Sequence, residues 1–327
     1  MENSFYSVSG NIAVETKKLL NEQKLTWPQL AEGYSLLDSV KVKTFEFDGF
    51  TIKVQFNNGR LTSSSAKVDP ASIKERKCFL CPQNLPDEQK GIYYKNDFVI
   101  LSNPFPIFKE HFTIPKLQHT PQRIVGSINS LLALAKDLGL YYTVFYNGPK
   151  CGASAPDHLH FQAGNKDFMP IDNEYENLKS EHGNNLISSE NIEIFSVNDG
   201  LRKFISLESK DEFKLTKKLL KVFDIISNVN PSDIETMMNI LVNYSDENGW
   251  RVIVFPREKH RPSHYFAEGD NNILLSPASV DVGGVCITPL EKDFNKIDKE
   301  ILRQIFAEVM MNNEKFISIC AKIMNEL

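Results

Sequence analysis

Long apolar runs are missing from this 327-residue chain. The runs ILVNY (240–244) and VIVF (252–255) fall far short of the ~20 apolar residues that span a bilayer. The first residues, MENSFYSVSGNIAVE, contain no basic region followed by an apolar stretch, so no signal peptide is expected. A surplus of positive charge is also absent: 37 Lys and Arg against 42 Asp and Glu leave a formal net charge of -5. Such a chain has no global attraction to nucleic acid or anionic membranes, and any phosphate must be held by a local site. Cysteine is scarce and odd in number, five in all, with only Cys78 and Cys81 close together. That excludes a disulfide framework and fits a reducing compartment, so a cytoplasmic protein is expected.

With 41% hydrophobic and 24% charged residues, the chain is long enough for one large or two modest domains. Residues 11–39 predict two short helices, the second opened at Pro28, and 42–57 alternate about Asp48-Gly49 as a β-hairpin. Strands are expected over 92–102 and 110–115, a helix over 121–137, a strand from Tyr141 to Tyr146, a small-residue loop from Asn147 to Asp157 and a returning strand from His158 to Gln162. The polar stretch 165–190 predicts a loop between two halves. Beyond it come strands over 192–208, helices over 212–228 and 231–241, strands at 251–256 and 285–287, and one long terminal helix over 297–325. The pattern is α+β, with the second half a degenerate copy of the first. The expected division is 1–55 (helices and hairpin, with no functional motif), 56–175 (catalytic half) and 185–327 (second half).

In an extended strand alternate side chains share a face, which puts His158, His160 and Gln162 on one side and Leu159 and Phe161 on the other. Two imidazoles and a carboxamide make poor core, since each needs a polar partner. The preceding loop, Asn147-Gly-Pro-Lys-Cys-Gly152-Ala-Ser154-Ala-Pro156, is small enough to turn backbone N–H groups toward an anion. A neutral imidazole beside a phosphate is a competent nucleophile on phosphorus, once its other ring nitrogen is held by a hydrogen bond. A pair of satisfied histidines with no chemistry is the alternative.

The segment His158-Leu-His160-Phe-Gln162 after Gly152-Ala-Ser154 resembles the His-x-His-x-Gln signature of the transferase branch of the histidine-triad superfamily. That branch contains galactose-1-phosphate uridylyltransferases, diadenosine tetraphosphate phosphorylases and GDP-hexose phosphorylases. The resemblance implies a histidine-triad-like fold of two pseudo-repeated halves with antiparallel sheets and packed helices. It implies His160 as nucleophile, Gln162 as the contact to phosphoryl oxygens, and Asn147, Gly152 and Ser154 in the phosphate loop. Asp157 is one residue more than the uridylyltransferase spacing allows. Gln162 stands where the hydrolase branch has a third histidine; an amide is no acid at neutral pH, which favours transfer to an acceptor over hydrolysis.

Cys78-Phe-Leu-Cys81 has metal-ligand spacing but no second such pair, so histidines must complete a four-ligand zinc site. His119 and His158 are the candidates, and their order resembles the structural zinc site of the bacterial-type uridylyltransferases. His111 is an alternative to His119, and a buried reduced cysteine pair without metal is the other reading. Asn103 and Phe105 resemble a base-pocket segment, or else simply form a turn. Arg60, Ser64 and Lys67 lie where the family carries phosphate contacts. In the second half, 243–251 and Phe255-Pro256-Arg257 through Arg261 look like GDP-hexose phosphorylases, with Arg257, Lys259 and Arg261 offered to a phosphate.

The expectation is therefore a nucleotidyltransferase or phosphorylase that acts on a nucleotide sugar, GDP-hexose ahead of UDP-hexose, through a nucleotidyl-histidine. Phosphate or a sugar phosphate would be the acceptor, zinc the cofactor, and a homodimer is left open. A dinucleoside polyphosphate phosphorylase is the alternative within the class, and a zinc-stabilised non-catalytic nucleotide-binding module the alternative outside it.

Overall fold

The computed structural model describes residues 5–61 and 68–327. Two helices, Ile12–Thr26 and Pro28–Leu36, follow the short strand β1 (Phe5–Tyr6). Asn11 caps the first by accepting from the amides of Ala13 and Val14, and Pro28 opens the second, where a missing N–H costs nothing. The hairpin forms as its alternation predicts, β2 (Lys41–Glu46) against β3 (Thr51–Phe56), with Gly49 at φ +79° in the turn.

Ten further strands follow before the last: β4 (Gly91–Tyr94), β5 (Phe98–Ser102), β6 (His111–Pro115), β7 (Tyr142–Asn147), β8 (His160–Asn165), β9 (Gly183–Ser189), β10 (Ile192–Asn198), β11 (Lys203–Ser209), β12 (Met238–Ser245) and β13 (Gly249–Pro256). With β1 they make one continuous sheet in the order β1-β4-β5-β6-β8-β7-β12-β13-β11-β10-β9. With β1 set aside as an extra edge strand, the path from each side to the centre is the same: first, second, third, fifth, fourth strand of the half. A helix joins the third strand to the fourth in both, Ile128–Leu138 and Glu212–Val229. The fold is α+β with two repeated halves, fused through antiparallel pairing of β7 with β12. β14 (Val285–Thr288) joins the hairpin in a separate three-stranded sheet.

Each face of the large sheet has its own core. Val144, Tyr146, Phe161 and Ala163 pack under the two connecting helices, whose apolar stripes include Leu131, Leu132 and Leu138, and Leu215, Leu219 and Ile226. Phe145, Leu241 and Ile253 face the other way, onto the small sheet and helices Pro170–His182 and Lys299–Val309. His160 and Gln162 belong to this second face.

Several elements differ from expectation. Residues 165–190 form a helix, Pro170–His182, and strand β9; Ile171, Tyr175 and Leu178 lie at helical spacing within otherwise polar sequence. The helix expected over 231–241 does not form: 231–237 are bend and irregular backbone, and 238–241 open strand β12, because the run Ile240-Leu-Val242 completes ladders with both β7 and β13. The helix over 121–137 begins at Ile128. The terminal helix is two, Lys299–Val309 and Asn313–Glu326, split where Met310 turns extended to bridge Arg257 and Asn312 caps the second. Among the described residues no helix is long and apolar enough to cross a membrane.

Candidate active site

A cavity of about 890 Å³ opens on the second face of the sheet, over the start of β8. His160 and Gln162 form part of its floor, and Asn147, Gly152 and Ser154 part of its wall. Arg60, Asn103 and Phe105 line it from the first half, and His260, Arg261, Ala278 and Asp281 from the second.

His160 is held on both sides of its peptide. Gln122, fully buried, accepts from the amide of His160 at 2.8 Å and donates to the carbonyls of His160 (3.0 Å) and Asn147 (2.9 Å). The ring Nδ1 lies 2.8 Å from the carbonyl oxygen of His158. A carbonyl only accepts, so Nδ1 carries the proton and Nε2 carries the lone pair. Burial pulls the pKa down to about 4, against the pull of the His158 carbonyl, so the ring is neutral at physiological pH.

His158 precedes the strand and does not share the face of His160. Its ring does not line the cavity; Nε2–H donates to the carbonyl of Lys116 at 2.6 Å, which leaves the Nδ1 lone pair aimed at the cysteines. Cys78 Sγ lies 3.2 Å from that nitrogen, and Cys81 Sγ lies 3.6 Å from it and 3.1 Å from Nδ1 of His119. The four donor atoms all fall within 4.8 Å of one another. Sulfur and nitrogen ligands of a tetrahedral zinc at its usual bond lengths stand about 3.6 Å apart. The set Cys78, Cys81, His119 and His158 therefore fits a metal ion. Lys116 supplies the backbone acceptor that commonly orients a ligating histidine. His111 is not part of this cluster: its ring bonds Gln162 (3.0 Å) and the amide of Ile107 (3.3 Å).

Gly152 has φ +92°, and a Cβ there would come within 2.4 Å of the Cβ of Ala278. Glycine is thus required twice, for the left-handed turn and for the close passage of the loop against the second half. Asn147 ties the same seam, its Oδ1 accepting from Asn239 Nδ2 (2.9 Å) and the amide of Ser279 (2.8 Å). Asn103 makes the turn that was its alternative reading, accepting from the Phe105 amide and donating to Thr113, while still lining the cavity. Arg60 donates to the carbonyl of Phe105 at 2.6 Å; burial lowers its pKa only to about 10, so it stays cationic.

Arg257 is the exception among the expected contacts. It is fully buried, and its five N–H donors go to the carbonyls of Val309, Pro277, Lys259 and His260 and to Asn239 Oδ1. It does not reach the cavity; it shapes the loop that carries His260 and Arg261 there. Lys259 pairs with Glu308 at the surface. Ser64 and Lys67 lie outside the described residues.

Several residues of the site carried no motif. Gln122 is one; His260 lies inside the 255–261 segment without a role of its own, its pKa drawn down to about 4 by burial and by Arg261 and Arg257. The N-terminal helices contribute as well: Trp27 and Gln29 line the cavity, and Tyr34 OH bonds both the amide and the carbonyl of His111. Only tertiary packing brings these distant stretches to β8.

The fold and site define a two-halved α+β protein with a histidine and a glutamine on the floor of its cavity, and two family models between them cover most of its length. Residues 178–327 match the family described as "GDPGP1-like, C-terminal domain", and residues 19–165 match "Domain of unknown function (DUF4922)". Among solved structures, the chain is similar to yeast Ap4A phosphorylase in complex with AMP: 16% identity, TM-score 0.58, covering 90% of this chain and 96% of that one. The same yeast enzyme in complex with Ap4A gives 14% identity and a TM-score of 0.52, over 88% and 97%. These likenesses establish a shared fold. No curated protein matches the chain in sequence.

Proposed function

We propose that the chain is a nucleotidyltransferase that acts as a phosphorylase on a nucleotide sugar, GDP-hexose first among them. The observation that carries this reading is the state of His160: a neutral ring, its Nδ1–H given to the His158 carbonyl, with the Nε2 lone pair left for chemistry at a cavity floor shared with Gln162. Nε2 attacks the α-phosphorus, the P–N bond forms, and the bridging P–O bond breaks to release hexose 1-phosphate. The positive charge on the phosphorylated imidazole is eased by the carbonyl that already accepts its Nδ1–H. An oxygen of inorganic phosphate then attacks the same phosphorus, the P–N bond breaks, and a nucleoside diphosphate leaves with His160 neutral again. A sugar phosphate departs as a stable anion, so no acid is needed at Gln162.

The GDP preference is supported by the C-terminal family match, which spans the residues that resemble GDP-hexose phosphorylases. Arg60, Asn103 and Phe105 would serve the nucleotide, the 147–154 loop the phosphates, and Arg261 the sugar phosphate or its phosphate replacement. A metal at Cys78, Cys81, His119 and His158 would be zinc, filled on all four sides by protein and therefore structural. A second reading, a dinucleoside polyphosphate phosphorylase, is favoured by the length over which the yeast Ap4A enzyme overlays the chain.

Incubation with α-phosphate-labelled GDP-hexose, UDP-hexose and Ap4A, without acceptor, separates these readings. An acid-labile label on His160 from the GDP-sugar, absent in His160→Ala, is the expected result, with turnover in that variant lowered roughly a thousandfold or more. Preferential labelling from Ap4A supports the second reading. Full turnover by His160→Ala, or no label from any donor, would sink both.

A further inference from the structure

The chemistry above makes no use of His111, a histidine with no exposed surface at the start of β6. Its two ring partners decide its tautomer. The backbone N–H of Ile107 donates to Nδ1 at 3.3 Å. A backbone amide only donates, so Nδ1 holds a lone pair and the proton of the neutral ring sits on Nε2. Nε2 lies 3.0 Å from Oε1 of Gln162, and the contact is therefore donation from His111 to the carboxamide oxygen.

The consequence falls on Gln162. An amide whose oxygen is taken on one side presents its NH2 on the other. Turning Gln162 over would set its NH2 against the Nε2–H of His111, and a buried donor left without an acceptor costs about 1–3 kcal/mol. The histidine cannot turn aside to relieve that. Its ring packs against Phe108 and Phe145, with centroids 5.2 and 6.2 Å away, and Tyr34 OH clamps its backbone at both the amide (3.0 Å) and the carbonyl (3.2 Å).

We propose that His111 is a positioning residue that holds the Gln162 carboxamide with its NH2 turned into the cavity, so that this point of the floor selects for an anionic phosphoryl oxygen. The proposal rests on the reading of His160 and Gln162 as the phosphoryl site. It adds that the selection is made outside the cavity floor, by Ile107 acting through His111. Ile107 belongs to the Asn103–Phe108 segment that also lines the cavity, so one wall of the site sets the donor pattern of another.

Two measurements test it. Long-range ¹H–¹⁵N spectra of histidine-labelled wild-type protein report the tautomer with no variant needed. His111 protonated at Nε2, with its shifts changed in Gln162→Leu, is expected; protonation at Nδ1 overturns the proposal. The second is a double-mutant cycle on the single-turnover rate of nucleotidyl-enzyme formation. His111→Phe should slow transfer roughly tenfold to a hundredfold, the loss that misplacement of a reacting group brings, while nucleotide binding changes by no more than about twofold. In a Gln162→Leu background it should cost nothing more, because the two residues act as one unit. Effects that multiply, or a loss of binding equal to the loss of rate, would assign His111 to structure alone. Absence of any nucleotidyl-enzyme in the wild type would fail the proposed function, and the tautomer would still decide the orientation of Gln162.

Discussion

The ring of His160 donates its Nδ1–H to the carbonyl oxygen of His158, 2.8 Å away and two residues back along the chain. One residue thereby serves two sites, its side chain facing Cys78 and Cys81 and its backbone orienting the ring of His160. Whatever holds His158 in place also decides which nitrogen of His160 is free to react.

Metal content is the first consequence. Purified without chelator, the protein should carry about one zinc per chain by elemental analysis. Cys81→Ser should lose it, lower the melting temperature and slow nucleotidyl transfer, since His158 would no longer be anchored. Zinc near zero in the wild type, or full occupancy in Cys81→Ser, would contradict the assignment.

Gln122 should be as important as any residue of the loop. Gln122→Leu keeps the volume but strands three buried backbone groups, the amide and carbonyl of His160 and the carbonyl of Asn147. At about 1–3 kcal/mol for each such group, partly relieved by relaxation, a loss of roughly 3–5 kcal/mol is expected in urea unfolding. A variant within about 1 kcal/mol of wild type would show that the three contacts do not hold the strand.

Gly152→Ala tests the seam between the halves. The added methyl meets Ala278 at 2.4 Å, and the residue must still adopt φ +92°. Together these should cost about 2–4 kcal/mol and weaken nucleotide affinity, because the loop can relieve the clash only by backing away from Ala278. Unchanged thermal stability and unchanged binding would rule out the close passage.

Glu235 should make stability depend on pH. It accepts from Tyr146 OH and the amide of Ile124, and burial raises its pKa from 4.5 to about 7. The folded state thus holds a proton that the unfolded state has released. The stabilisation is complete below about pH 4.5 and is lost as pH rises through 7, by on the order of 3 kcal/mol at most. Denaturant titrations at pH 5 and pH 8 should show a larger fall in the wild type than in Glu235→Gln; equal falls would place the titration elsewhere.

How much of this was legible in the chain differs by element. Period-two alternation marks the hairpin at 42–57, and helical spacing marks 12–26 and 212–229; β3 and both helices bury a stripe that local sequence already contains. Helix Pro170–His182 is hidden in the sequence because its three large buried side chains are diluted by ten largely polar neighbours. The start of strand β12, residues 238–241, falls in the stretch whose sequence predicts a helix, because its identity comes from ladders on both sides, to β7 and β13, that no short window contains. Arg257 looked like a phosphate ligand by charge, yet packing gives all five of its donors to protein acceptors.

The sequence by itself determined the side chains on offer: a histidine two residues from a glutamine that is no acid, a glycine-bearing loop before it, and two cysteines at ligand spacing. These are properties of side-chain type and near-neighbour order, which survive without a fold. Tertiary structure alone decided which nitrogen of each histidine is protonated, that His158 turns to the cysteines while His160 turns to the cavity, and that Gln122, Tyr34 and Ile107 hold the reacting groups. Those assignments depend on backbone amides and carbonyls brought from elsewhere in the chain, and a peptide group has the same chemistry whatever side chain it carries.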